Sequence, residues 1–354
     1  MRFSVATFHL PHPEGSAAGR QLWALADALL AEGHEVDGWC WGPNPTGVDP
    51  PPWCVWERFT PPRGWRTRPR NLVRPRSGLS RADWQPADDA VGWADDWASW
   101  PAVDRGPGQR ALLTVHYDGA LDARALGGWT GPRAQDWRAQ RRAVRRSPCS
   151  VALSDRVATA AGVGTIVPAT VPMPRQVLPA HDEPVALMFA DWSWPANVAA
   201  LGRLLDGWAD VRARVPGAEL VVAGRGAPDV GTATGIRVVG EVARTVDAMA
   251  QAAVLAFPCP PTSGPKMKVL DACAAGLPVV TTPAGVEGLA VPHAAVAVAE
   301  PAAFLDLLVD VLGDPTRRAA MASLAREAVL ARHAPAVAAA ARLAALRAAQ
   351  AAGV

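Results

Sequence analysis

Two short strands that must both lie buried, with a proline-broken loop and a helix between them, constrain this chain more than any other stretch. Val254-Leu-Ala-Phe257 is an apolar run that ends in Pro258, Pro260 and Pro261, the pattern of a buried strand feeding a rigid loop. Gly264 and Pro265 then open a helix, proline suiting a first turn, and Met267, Leu270 and Ala274 recur at helical spacing. Gly276 stops that helix, Pro278 cannot extend it, and Leu277 to Thr281 reads as a second buried strand. The unit is β-loop-α-β, which belongs in an α/β domain.

Lys266 and Lys268 are the only lysines in the chain; all other permanent cationic side chains are arginine. Two compact ammonium groups within three residues suit a phosphate, while coding bias plus a solvated helix start is the plainer reading. Backbone N–H groups, a helix dipole and both ammonium groups converge near residues 263–268, and such a place attracts a phosphate. Asp271 falls three residues after Lys268 on the same side of the helix, where a carboxylate accepts from two vicinal hydroxyls. Phosphate plus ribose implies a nucleotide.

The run from Gly264 to Leu289, GPKMKVLDACAAGLPVVTTPAGVEGL, resembles the donor-site signature of GT-B glycosyltransferases, in particular retaining glycosyltransferase family 4. The resemblance implies two Rossmann-like doubly wound domains facing across a cleft, with a lysine and nearby amides holding the diphosphate of a sugar nucleotide and Asp271 holding the ribose. That family often carries a second acid separated from the first by seven residues, and here Ser263 stands at that position. The usual contact to the donor sugar's hydroxyls is therefore altered.

A chain of 354 residues accommodates two α/β domains with separate cores. Half the residues are apolar and the formal charge is +2, which disfavours a nucleic-acid partner. Five scattered cysteines without C-x-x-C spacing read as reduced core residues of a cytoplasmic protein. The start is too quickly broken by Pro11 and Pro13 for a signal peptide, and apolar runs are interrupted by arginine or proline. A soluble protein is expected, with peripheral membrane contact left open.

The expected domains are 1–168, an acceptor domain; 169–184, a proline-rich linker; 185–333, the donor domain; and 334–354, a final helix. In GT-B enzymes that helix crosses back to the first domain; a surface helix packed only on its own domain is the other reading. Phe3 to Phe8, a helix from Ser16 to Ala31 and Glu35 to Trp41 open the chain as a βαβ unit. The loop between them resembles the family's Gly-Gly loop, with Gly15 and Ser16 in its place, and Arg20 follows in the first helical turn. Residues 42–110 hold many arginines, acids and tryptophans, read either as packing of a proline-rich excursion with little regular structure or as an acceptor surface. A strand from Arg110 to Val115 delivers His116 to its C-terminal end, where open α/β sheets bind ligands. The resemblance places such a histidine near the donor sugar; a buried structural imidazole is the alternative.

In the second half, Trp192-Ser-Trp-Pro-Ala-Asn197 caps a helix running to Arg214. Many relatives carry Arg and Lys after the preceding strand, and this chain has Asp191 and Trp192, so Lys266, Lys268 and Arg225 are expected to neutralise the diphosphate. Val242 is placed along the base. The donor-binding set is thus Gly15, Ser16, Arg225, Val242, Ser263, Gly264, Lys266, Lys268 and Asp271, with His116 and Lys268 as catalytic candidates.

No Asp-x-Asp occurs and no ligand cluster has metal spacing, so neither a metal nor another cofactor is expected. The expected reaction is retaining transfer of a sugar from a nucleotide-sugar donor to a hydroxyl of an acceptor glycan, lipid-linked sugar or small aglycone. A non-hydrolysing sugar-nucleotide epimerase and a catalytically silent relative that binds a nucleotide or a partner stay open as alternatives.

Overall fold

The computed structural model describes residues 1–44, 47–57, 84–106, 109–127, 131–230 and 234–353, with backbone alone for 131–135. The chain forms two compact units, Met1–Pro172 with Pro335–Val354, and Met173–Ala334. Arg58, Arg63, Trp65, Arg66, Arg68, Arg70, Arg74, Arg76, Arg81 and Asp83, part of the suggested acceptor surface, lie outside the described residues.

The first unit runs β1 (Arg2–Thr7), α1 (Ala17–Ala31), β2 (Glu35–Cys40), β3 (Cys54–Trp56), β4 (Val91–Ala94), α2 (Trp100–Val103), β5 (Ala111–Val115), α3 (Gly119–Ala125), α4 (Gly131–Arg146), β6 (Cys149–Ala152), α5 (Asp155–Ala161) and β7 (Thr165–Ile166). Its strands lie in the order β3-β2-β1-β4-β5-β6-β7, all parallel. Parallel strands need crossover connections, and helices packed on the faces make the inner strands apolar throughout. Phe3 pairs with Val36 of β2 on one side and Val91 of β4 on the other.

Within 42–110, the described residues 84–106 hold regular structure that the expected excursion lacks. Val91-Gly-Trp-Ala94 is a buried strand at the middle of the sheet, between β1 and β5. Its four residues between acidic neighbours are too few to show a period in the sequence. Three of the described tryptophans there serve packing, while Trp56 is exposed. Trp93 and Trp100 are buried, Trp84 stacks on Trp39 at 5.9 Å, and Trp93 Nε1 donates to Thr114 Oγ1 at 3.1 Å.

The second unit contains β8 (Val185–Phe189), α6 (Pro195–Arg214), β9 (Glu219–Ala223), β10 (Ile236–Gly240), α7 (Thr245–Met249), β11 (Val254–Phe257), α8 (Met267–Ala275), β12 (Val279–Thr281), β13 (Ala297–Val298), α9 (Phe304–Leu312) and α10 (Pro315–Arg332). Strand order is β10-β9-β8-β11-β12-β13, again all parallel. The order reverses between β8 and β11, and the loops leaving those strands flank the crevice where doubly wound sheets take ligands. The corresponding reversal in the first unit falls between β1 and β4.

One helix start differs from the sequence reading. α8 begins at Met267, with Lys266 as its N-cap and Pro265 still in the loop. Gly264, at φ 77°, holds a left-handed conformation that turns the chain before the helix. Lys266 Nζ folds back to donate to the carbonyls of Thr262 at 3.1 Å, Ser263 at 3.2 Å and Gly264, which fixes the loop in a non-helical path.

The last helix, α11 (Pro335–Ala351), belongs to the first unit and packs on α1. Its buried Arg342 donates to the carbonyl of Pro168 at 3.1 Å and to that of Ala338 at 2.9 Å. The stretch from Pro315 to Ala351 is long and apolar enough to meet a membrane-spanning criterion by composition. It is divided between α10, which packs on α8, and α11.

Candidate functional site

In the second unit the functional side chains gather where the sheet order reverses. Asp191 follows β8, Arg225 follows β9, Ser263 to Lys268 follow β11, and Glu287 follows β12. A parallel sheet aligns these strand ends at one edge, so residues up to about a hundred positions apart converge there without long side chains.

Lys268 lies in the first turn of α8, and its Nζ donates to Asn197 Oδ1 at 2.7 Å. The same nitrogen sits 4.2 Å from the centre of the Phe257 ring, within cation–π range. Burial disfavours the ammonium and pushes its pKa down to about 7; Lys266 repels it further, while Cys259 and Asp191 oppose the shift. Lys266 is differently employed, its three donors turned onto the loop carbonyls. The two lysines expected to act as a pair therefore divide, one shaping the loop and the other facing the crevice between β8 and β11.

Asp191 and Arg225 form a close ion pair, Oδ2 to Nη2 at 2.5 Å. Burial alone would raise the Asp191 pKa, but hydrogen bonds from Ser193 and Arg225 outweigh it and hold the carboxyl below its ordinary range. β9 thus delivers the Arg225 guanidinium beside the end of β8, where the Asp191 carboxylate engages it. Gly264 N–H donates to Glu287 Oε1 at 2.9 Å, so a carboxylate from the next strand already occupies one amide before α8. Ser263 is buried, and Asp271 is buried one turn after Lys268 on α8. Val242 is half-buried two residues beyond β10.

The first unit holds a second cluster, described separately. His9 follows β1, Asp95 and Asp96 follow β4, and His116 follows β5, so two imidazoles and two carboxylates meet at the ends of three adjacent strands. His116 Nε2 contacts the Asp95 carbonyl and lies 3.4 Å from Asp95 Oδ1. Its Nδ1 is 3.3 Å from Gln21 Nε2. Burial disfavours charge on His116, but Asp95 outweighs it and raises the pKa. Burial lowers the pKa of His9 and raises that of Asp96. Asp95 is itself buried, and neither carboxylate oxygen makes a hydrogen bond.

Ser16 is the N-cap of α1, its Oγ accepting from Gly19 N–H at 3.2 Å and meeting His9 Nδ1 at 3.2 Å. Gly15 adjoins it in the loop, and Arg20 follows in the first turn. Gly19 packs tightly on this loop: a Cβ there would stand 2.1 Å from the Leu10 carbonyl oxygen.

Sequence reasoning named Asn197 only as part of a helix start, and missed Phe257, Glu287, Gln21, Asp95 and Gly19 as site residues. Asn197 and Phe257 carried a usable signal, since both flank strands whose ends meet at the reversal. Gln21 and Asp95 carried none, because β4 was not visible and their partners lie far away in sequence.

Two doubly wound parallel sheets, each reversing order beside a cluster of polar side chains, define the GT-B class of glycosyltransferase fold. Residues 183–314 match the family described as glycosyl transferases group 1. The chain accordingly has the GT-B fold and is a glycosyltransferase that uses a nucleotide sugar, the family match falling within its second unit. Among solved structures it is similar to sucrose-phosphate synthase from Thermosynechococcus elongatus, with TM-score 0.72 and 15% identity over 99% of both chains. It is also similar to HepE of Anabaena in complex with UDP-glucose, with TM-score 0.66 and 14% identity over 98% of this chain and 99% of that one. WaaG, a glycosyltransferase involved in lipopolysaccharide biosynthesis, gives TM-score 0.65 and 16% identity over 97% and 98%. No curated protein sequence matches the chain.

Proposed function

We propose that the chain transfers a sugar from a nucleotide-sugar donor to an acceptor hydroxyl with retention of anomeric configuration and without a metal ion. The carrying observation is Lys268, a half-buried amine at the start of α8 on the reversal between β8 and β11, held by Asn197 and the Phe257 ring. The leaving diphosphate gathers negative charge as the glycosidic bond breaks, and a fixed cation with helix-terminal amides stabilises it most where water is excluded. Asp271, one turn along α8, takes the ribose hydroxyls, and Arg225 supplies further positive charge. Val242, Ser263 and Gly264 line the donor, with Lys266 acting through the loop it braces.

In the first unit, Gly15 and Ser16 lie at the start of α1 and His116 at the end of β5; the reading assigns the loop a donor contact and His116 a catalytic part. The acceptor hydroxyl attacks the anomeric carbon on the face the diphosphate leaves, and its proton passes to the departing phosphate oxygen. The acceptor is a glycan, a lipid-linked sugar or a small aglycone, and peripheral membrane contact accompanies the lipid-linked case. All five cysteines are buried and unpaired, which supports a reducing, cytoplasmic setting.

UDP-glucose, bound in HepE, is the first donor to try. UDP release measured with and without a panel of acceptors tests the reaction, and proton NMR of the product reads the anomer. Release that needs an acceptor, gives the donor's anomer and continues in EDTA supports the reading. Turnover without acceptor points to the epimerase, and binding without turnover of any donor points to the silent relative.

A further inference from the structure

Lys268 has an unusual set of neighbours for a cation intended to meet a phosphate. Among the described residues no carboxylate is paired with its ammonium, whose one hydrogen-bond acceptor is the neutral Asn197 Oδ1 at 2.7 Å. Asn197 has no freedom to turn that oxygen away, because its Nδ2 donates to the Asp191 carbonyl at 2.8 Å. A backbone carbonyl can only accept, so the amide's orientation is fixed by chemistry. Below the amine lies the Phe257 ring face at 4.2 Å, which attracts a cation without neutralising it.

The charged and titratable groups around this amine come from four elements. Lys266, at the N-cap of α8, repels it; Cys259, in the loop after β11, favours its charge. Asp191, after β8, also favours it, but that carboxylate is already engaged by Arg225 at 2.5 Å and Ser193 Oγ at 2.6 Å. Glu287, after β12, is bound to the Gly264 amide. An amide oxygen accepts equally from an ammonium and from a neutral amine, so the site tolerates both protonation states.

We infer that Asn197 is a positioning residue that holds Lys268 half-buried and un-neutralised, so that arrival of the nucleoside diphosphate draws a proton from solvent onto Lys268 Nζ. The inference rests on the reading of Lys268 as the diphosphate cation. An anion placed beside a buried amine favours its charged form, and binding and protonation are then linked. Departure of the diphosphate returns the proton. A carboxylate at position 197 would destroy the linkage by charging Lys268 in advance.

Titration calorimetry with UDP at pH 8, in two buffers of different ionisation enthalpy, counts the protons taken up. With the amine at about 7, roughly nine in ten copies are neutral at pH 8, and uptake should approach one proton per UDP. Lys268→Met should weaken UDP binding by about tenfold or more and abolish uptake. Asn197→Asp should still bind UDP yet take up less than about a third of the wild-type proton count. If Asn197→Asp does not fold, Asn197→Ser serves: it cannot reach Lys268, so UDP affinity should fall at pH 8 and recover at pH 6.5. Unchanged affinity in Lys268→Met would overturn Lys268 as the diphosphate cation. Weakened affinity in that variant, with no proton uptake by the wild type, would overturn the linkage alone. Wild-type uptake in Asn197→Asp, or equal affinities at both pH values in Asn197→Ser, would overturn the role of Asn197.

Discussion

Gln21 and His116 fix one another: Gln21 Nε2 lies 3.3 Å from His116 Nδ1, while Gln21 Oε1 accepts the Thr170 N–H at 3.1 Å. The Thr170 amide can only donate, so the glutamine must present its oxygen there and its NH2 group to the imidazole. His116 Nδ1 is then an acceptor, and the ring proton sits on Nε2, toward Asp95. Asp95 favours an imidazolium, whereas the Gln21 NH2 group resists a proton on Nδ1. Gln21→Glu keeps an acceptor for Thr170 and replaces that resistance with a second carboxylate. The His116 pKa, followed by NMR of the ring nitrogens, should rise by about one unit or more. Gln21→Leu removes the acceptor that Gln21 offers the Thr170 N–H and should cost about 1–3 kcal/mol by denaturant unfolding. An unchanged ring titration in Gln21→Glu would show that the glutamine does not set the proton's place.

The two lysines should separate experimentally. Lys266 spends its donors on the carbonyls of Thr262, Ser263 and Gly264, and so Lys266→Met removes the brace of the loop. A loss of about 1–3 kcal/mol of stability is expected, with weaker UDP binding following from a displaced loop. Lys268→Met removes a half-buried amine whose desolvation already opposes folding, so its stability should hold or rise while UDP affinity falls. Chemical denaturation beside UDP titration of both variants checks the division, and equal profiles would refute it.

Much of this arrangement was legible before the structure. The β-loop-α-β unit holding Lys268 and Asp271 announced itself through apolar runs, helix spacing and the Gly276 stop, which are local signals. β4 did not, because four residues show no period and its buried state depends on neighbours distant in sequence. The same non-locality hid Asp95, whose significance comes from β4 lying beside β5. The late start of α8 was hidden for another reason: Lys266 competes for the loop carbonyls through a side chain, and propensity cannot register that. Asn197 stood in a recognised string, yet its link to Lys268 crosses 71 positions and required the strand order to appear.

Lys268 also gives stability a definite pH slope. Its pKa falls from 10.5 in the open chain to about 7 in the fold, so between those values the unfolded state binds the extra proton. Stability should therefore rise with pH across roughly 7 to 10, the reverse of the trend for a lysine that gains a salt bridge. Thermal midpoints measured across this range for wild type and Lys268→Met should differ in slope, the variant being flatter. Parallel curves would mean that the amine is solvated in the folded protein.

Two glycines in helices should respond oppositely to alanine. Gly202 lies inside α6 with open space where a Cβ would go, and alanine there avoids glycine's backbone entropy. A gain of up to about 1 kcal/mol is expected from helix preference alone. Gly19 lies inside α1, where the same preference applies, but its Cβ would stand 2.1 Å from the Leu10 carbonyl oxygen. Backbone, not a flexible side-chain tip, is in the way, so either α1 or the loop carrying His9 must shift. The contact should reverse the sign, costing about 1–3 kcal/mol. The same shift would pull Ser16 from His9, since Ser16 Oγ accepts from Gly19 N–H at 3.2 Å and meets His9 Nδ1 at 3.2 Å. Gly19→Ala should consequently change the His9 ring resonances as well as the unfolding midpoint, and Gly202→Ala should change only the midpoint. A stabilised Gly19→Ala with unaltered His9 resonances would show that α1 does not pack against Leu10 as described.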